Sequence, residues 1–204
     1  MRVGVALLLA ALLAGCVTTA ENTLSPERRA ALKIESVKVS FAPSARVNWS
    51  EAESEFDRSK NPNDGLKAYV TAVPMTADRR AYIEKKAAAR ITDAFQQRVL
   101  PAFRGTEPAR VEVVVHALDL PSGARRALVG GDHRIDADIR VVNAKSGEVI
   151  LQAPDFRGTS PGGGMVSVLV DVALPDPIDR ASVTLANSFK SWLESGSQLG
   201  RGYL

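Results

Sequence analysis

Arg134-Ile135-Asp136-Ala137-Asp138-Ile139-Arg140-Val141 decides the fold, because every second residue is apolar and every residue between is charged. A period of two puts Ile135, Ala137, Ile139 and Val141 on one face of a strand and the four charges on the other. One face must therefore meet a core while the other meets water. Asn143 to Gly147 is a short turn, and Val149, Leu151 and Ala153 alternate again, so the two strands are expected to pair as an antiparallel hairpin.

The same period appears upstream. Val111, Val113, Val115 and Ala117 form one face of a strand that Pro121-Ser122-Gly123 closes with turn chemistry. Val37, Val39 and Phe41 alternate with Ser36, Lys38 and Ser40 until Pro43, after which Ala45, Val47 and Trp49 either continue the strand or form a short edge. Downstream, Thr159 to Gly164 reads as a flexible Gly- and Pro-rich loop and Met165 to Leu174 as a further strand.

Two segments switch to helical spacing. Thr76 caps a helix in which Ile83, Ala87, Ile91, Phe95 and Val99 recur every four residues, and Pro101 stops it. Its opposite face carries Arg79, Lys85, Lys86 and Arg90, read as solvated. Asp176 caps the second helix, Pro177 suits its first position, Ile178, Leu185, Phe189 and Leu193 share a face, and Gly196 closes it. These elements imply an α+β domain: an antiparallel sheet of about four to five strands with the two amphipathic helices packed on one face.

Ser50 to Gly65 carries Glu51, Glu53, Glu55 and Asp57 before a cluster of turn formers. Ser50 and Glu53 have capping-box spacing for a short helix. The acids are spaced two apart, so they do not converge on one helix face, and the reading is a solvated acidic surface. Leu66 to Val73 fits helix or strand.

The N-terminus supplies an address. Arg2 precedes an apolar run from Val3 to Leu13, too short to span a bilayer, in the manner of a secretory signal. The run ends in Leu13-Ala14-Gly15-Cys16, which resembles the lipobox of bacterial lipoproteins. That resemblance implies a signal peptide over residues 1–15, cleavage before Cys16 and acylation of its thiol. Two or three acyl chains would anchor the chain where a single chain binds only marginally. Val17, where an inner-membrane lipoprotein of enteric bacteria would carry aspartate, makes the resemblance point to the outer membrane and a periplasm-facing domain. Residues 16–32 then form the lipidated cysteine and a flexible tether, 33–196 a single globular domain, and 197–204 a loose tail.

Composition narrows the function. About 190 residues remain after cleavage, with 45% apolar and 24% charged residues across the chain, enough for one core. The formal charge of +3 falls by one when Arg2 leaves, and no dense basic block marks a nucleic-acid surface. Cys16 is the sole cysteine, so packing alone must stabilise the domain.

Gly130-Gly131-Asp132-His133 is the most chemically suggestive motif. His116, Asp132, His133 and Asp136 are the candidate ligands for a metal, which wants three or four converging donors. Neither HExxH nor another zinc spacing is present, and the competing reading is a glycine-shaped turn entering a strand. Gly162-Gly163-Gly164 lacks the Lys-Ser/Thr ending of a phosphate loop, and no serine sits in a Gly-x-Ser-x-Gly elbow. No cofactor is expected.

The block from Ala127 to Val149, with Val129-Gly130-Gly131-x-His133-x-Ile135 and Val142-x-Ala144-x-x-Gly147, is similar to small bacterial lipoproteins grouped as domains of unknown function. The resemblance implies a sheet domain and no established activity. The leading expectation is a non-enzymatic binding or assembly module. It would be held by membrane lipid through acylated Cys16 and meet an envelope protein by a sheet edge or the Gly-rich loop. The alternative is a metal-binding protein or enzyme centred on His133, and a purely structural envelope protein is a third reading.

Overall fold

The computed structural model describes residues 22–60, 74–129, 131–160 and 176–195. Strands β1 (Leu32–Trp49), β2 (Glu107–Leu120), β3 (His133–Asn143) and β4 (Val149–Ser160) form one sheet in that order. The described helices are α1 (Pro26–Ala31), α2 (Ser50–Lys60), α3 (Ala77–Arg98), α4 (Gly123–Val129) and α5 (Pro177–Ser195), with a single 3₁₀ turn at Leu100–Ala102.

The domain is α+β, with α3 and α5 on one face of the sheet, but the sheet is mixed rather than antiparallel. β2, β3 and β4 pair antiparallel, whereas β1 and β2 run parallel, from Leu32 opposite Glu107 to Trp49 opposite Leu120. The cause is the connection: α2 and α3 return the chain along the sheet, and Phe103 beyond α3 accepts from the Ile34 N–H at 3.1 Å, so β2 begins where β1 began. Alternation specifies which face a side chain takes, not which way the strand runs. The expected strand Met165 to Leu174 lies outside the described residues.

β1 continues past Pro43. Its pairing with β2 breaks between Phe41 and Arg46 and then resumes to Trp49, which is how an edge strand accommodates proline. β2 also slips: Val115 faces Ala137 and Ala117 faces Asp136, leaving His116 as an extra residue. The bulge moves Ala117 off the core face and turns Leu118 and Leu120 onto it, where all but a few percent of each is buried.

The core lies between the sheet and the two helices. Ile83, Ala87, Ile91, Phe95 and Val99 of the α3 stripe are wholly buried, and Thr76 Oγ1 caps the helix by accepting from the Arg79 N–H at 3.3 Å. In α5, Asp176 Oδ1 accepts from the Ile178 N–H at 3.2 Å. Phe189 of α5 joins the layers: its ring centroid lies 5.9 Å from Phe95 of α3, 5.7 Å from Phe156 of β4 and 6.0 Å from Trp192.

The acidic run is not simply a solvated surface. It forms α2 and lies against the basic side of α3, where Asp57 pairs with Arg79 and Glu55 with Lys86. Arg79, read as solvated, is only 2% exposed, and its Nη1 also donates to the Pro74 carbonyl. Lys86 Nζ also sits 5.4 Å from the Trp49 ring centroid, and Tyr82 Oη donates to Glu55 at 2.6 Å. The bond from Lys86, then that from Tyr82, holds the Glu55 carboxyl below its usual value. A lowered carboxylate contributes fully above the ordinary carboxylate range and loses its contribution as pH falls through its folded-state pKa. Glu55→Gln should therefore cost under about 1 kcal/mol at neutral pH, the pair being half exposed. The gap between the denaturation midpoints of variant and parent should narrow as pH falls from neutral through the carboxylate range; a gap that stays constant would rule out the pairing.

The segment assigned to the tether packs on the domain from Asn22 onward. Asn22 Nδ2 donates to the carbonyls of Trp192 and Leu193 at 3.0 and 3.2 Å, satisfying groups that the end of α5 leaves open. Its Oδ1 accepts from the Leu24 N–H at 3.1 Å, and Leu24 is buried. Ser25 then caps α1.

These contacts give the sheet two distinct ends. The tether end holds α1, the starts of β1 and β2, the β3–β4 turn, where the Ala144 N–H bonds the Pro108 carbonyl at 3.0 Å, and the last turn of α5. At the far end are the close of β1 and β2, α2, the start of β3, the close of β4 and the start of α5, where Arg180 Nε donates to Ser160 Oγ at 2.8 Å.

Candidate functional site

The His133 neighbourhood forms at the far end. Leu120 and Trp49 close β2 and β1, Pro121 leads to α4 with Arg126, and β3 opens with His133. His133 and Arg126 are 2% and 3% exposed. With Trp49, Glu51, Leu120 and Pro177 they line a cavity of about 10 Å³. That volume is on the order of a single water, too small for an organic substrate. Gly131, with φ at 119°, gives the chain the backbone freedom needed to enter β3 from α4.

The four candidate ligands do not come together. His133 begins the alternation that continues through Ile135 and Ala137, so it faces the covered side of the sheet. Asp136 points to the open side, where Oδ1 accepts from Arg157 Nε at 2.9 Å and Oδ2 pairs with Arg134 Nε at 3.2 Å. His116, displaced by the β2 bulge, also lies on the open side, with Nε2 2.9 Å from Asp138 Oδ2. Asp132 is exposed at the entry to β3. Among the described residues no group of three or more His, Cys, Asp or Glu side chains is placed to hold a metal.

The open side of the sheet carries paired charge. Glu112 bridges Arg110 at 2.8 Å and Arg140 at 3.1 Å, and Arg110, then Arg140 and Lys38, draw its carboxyl below the usual value against a smaller opposing effect of burial. Farther along, Asp138 Oδ1 accepts from the Asp155 N–H at 3.0 Å. Asp155 has φ at 58° and follows Pro154 in a bulged part of β4. Proline and a bulge at an edge discourage another strand from adding there.

Sequence reasoning missed Arg126 and Asn22 as buried polar groups. Arg126 lies just past the turn-forming Pro121-Ser122-Gly123, where no helix is expected, and Asn22 in a run of small polar residues that resembles an ordinary linker. Only the distant carbonyls of α5, 170 and 171 residues away, give Asn22 its role.

No protein-family model matches the chain, and no curated protein matches it. Among solved structures, a Caulobacter crescentus protein named as a candidate lipoprotein is 15% identical, with 54% of this chain and 82% of that one covered and a TM-score of 0.32. A PelC dodecamer from Paraburkholderia phytofirmans is 14% identical over 77% of this chain and 90% of its own, with a TM-score of 0.31. A Xanthomonas campestris protein from a family of unknown function is 11% identical over 81% and 84%, with a TM-score of 0.36. Scores this low lend this chain no site, oligomeric state or partner.

Proposed function

We propose that the chain is a cell-envelope lipoprotein, anchored to the outer membrane through acylated Cys16, whose periplasmic domain is a non-enzymatic binding or assembly module. The observation that carries the reading is Leu13-Ala14-Gly15-Cys16, a nucleophilic thiol behind small residues at the end of a secretory run. The domain's geometry is compatible with the second half: among the described residues, His133 faces the covered side of the sheet while His116 and Asp136 face the open side. The tether leaves one end of the sheet, so the far end with α2 and α4 is the surface held out toward other envelope components.

Cys16→Ala should abolish incorporation of labelled palmitate and move the protein from the membrane pellet to the soluble fraction. Retention of label and of membrane fractionation by the variant would refute the anchor. In-cell cross-linking of the parent, read by mass spectrometry, should capture one dominant envelope protein that the Cys16→Ala form loses. Cross-links spread over many proteins at equal yield would refute the assembly role.

A further inference from the structure

We propose that the tether end of the domain is a docking surface for the phospholipid bilayer, with Arg29 and Arg104 receiving lipid phosphate in the cleft between α1 and the turn that follows α3. The inference rests on acylation of Cys16 and adds an orientation and a ligand class to it.

Length supplies the first argument. Asn22 is fastened to the end of α5, so Val17 to Glu21 alone separate the acylated residue from the folded domain. Fully extended, that leash reaches about 20 Å. The eleven residues of β3 span about 35 Å, so the leash is shorter than the domain. An anchored domain therefore holds its tether end beside the headgroups.

Charge supplies the second. A cleft of about 290 Å³ opens at this end between Pro26, Arg29, Ala30, Phe103, Arg104 and Glu194. Of the neighbouring acids, Glu107 pairs with Arg28, Glu35 with Lys33 and Glu194 with Lys190, while Glu27 on α1 accepts from its own helix end and Ser25 and feels the charge of Arg29 more weakly. Arg29 Nη1 donates to the Leu24 carbonyl at 2.9 Å, which holds its guanidinium at the cleft. Among the described residues neither Arg29 nor Arg104 has a carboxylate within ion-pair distance. Two such guanidinium groups suit phosphate, which they bind through paired N–H donors. The phosphates lie where the leash places the cleft.

The test uses the full-length acylated protein in vesicles of phosphatidylethanolamine with a quarter phosphatidylglycerol. Acylation consumes the only native thiol, so Thr106→Cys at the tether end or Met75→Cys at the far end accepts a fluorophore at a single site. Quenching by headgroup-level spin-labelled lipid should be several-fold stronger at position 106 than at position 75. Arg29→Gln with Arg104→Gln should reduce the bilayer-apposed population by about fivefold per arginine, as should high salt in the parent. Intact mass, read on each sample, separates the two layers of inference. A protein lacking the acyl mass overturns the anchor and the docking surface together. An acylated protein quenched equally at both positions overturns docking alone, and so does unequal quenching that the double substitution leaves unchanged.

Discussion

Phe189→Ala should destabilise the domain by about 4 kcal/mol, the scale on which truncating a buried aromatic leaves a cavity that its surroundings fill only in part. The site has little scope for collapse. Phe189 is wholly buried and touches three rings on three different elements: Phe95 on α3, Phe156 on β4 and Trp192 on its own helix. Phe156 and Trp192 also meet edge-on at 5.4 Å, so the rings form a cluster whose packing depends on the central member. Removing it separates α3 from α5 and both from the sheet. With total stabilities of about 5–15 kcal/mol for a domain, the loss is a large part of the whole. Urea denaturation followed by tryptophan fluorescence should show the midpoint falling by about 2 M for a slope near 2 kcal/mol/M. A shift below about 0.5 M, on the same scale, would mean that the ring is not the junction of the layers. Trp192, 2% exposed, should report the opening directly by a red-shifted emission.

Where the sequence could be read, one local physical rule was strong enough to act alone. The α3 stripe and its Thr76 cap, the Asp176 cap of α5 and the alternation of β3 each depend on neighbours within a few residues, and each forms as expected. Features set by distant partners were not legible. Parallel pairing of β1 with β2 follows from the return of the chain through α2 and α3, which period-two alternation does not encode. The bulge at His116 leaves only a trace, the adjacent apolar pair Ala117-Leu118, where strict alternation would place a polar residue. Sequence places Arg79 in water because a helix seen alone shows its charged side to solvent, whereas Asp57 comes from another helix, twenty-two residues earlier in the chain. The signal available was complementarity, since an acidic run precedes a helix with a basic face.

The candidate site shows the same division. Gly131, Asp132 and His133 are adjacent in sequence, yet closeness along a strand works against convergence, because successive side chains alternate between faces. His133 and Asp136 are three residues apart and so take opposite sides of β3. Alternation along β2 does not fix the side His116 takes; the bulge sets it on the open one. Arg29 and Arg104 are far apart in the chain and line one cleft because β1 and β2 start at the same end of the sheet.

Gly158→Ala tests how closely α5 lies on that sheet, and its expected cost is about 3 kcal/mol, the upper part of the usual range for overpacking. Gly158 pairs with Ile135 on the covered face. A Cβ added there would overlap the Ala181 carbonyl oxygen and come within 2.6 Å of Leu185 Cβ. The first obstacle is helix backbone, which cannot rotate away as a side-chain tip can. To admit one methyl group, α5 must lift from β4, and lifting it loosens the contact between Phe189 and Phe156. The variant should therefore lower the urea midpoint by about 1.5 M, and amide exchange should quicken first in α5 and β4, leaving β2 protected. Uniform faster exchange through all four strands would show that α5 does not yield separately from the sheet. Unchanged stability would show that helix and strand stand farther apart than the glycine implies. The effect should exceed that of Gly147→Ala, in the β3–β4 turn, where φ is 75° but an added Cβ meets no atom within 4 Å: there only backbone strain opposes the substitution, about 1–2 kcal/mol, whereas at position 158 the interface between two layers must move.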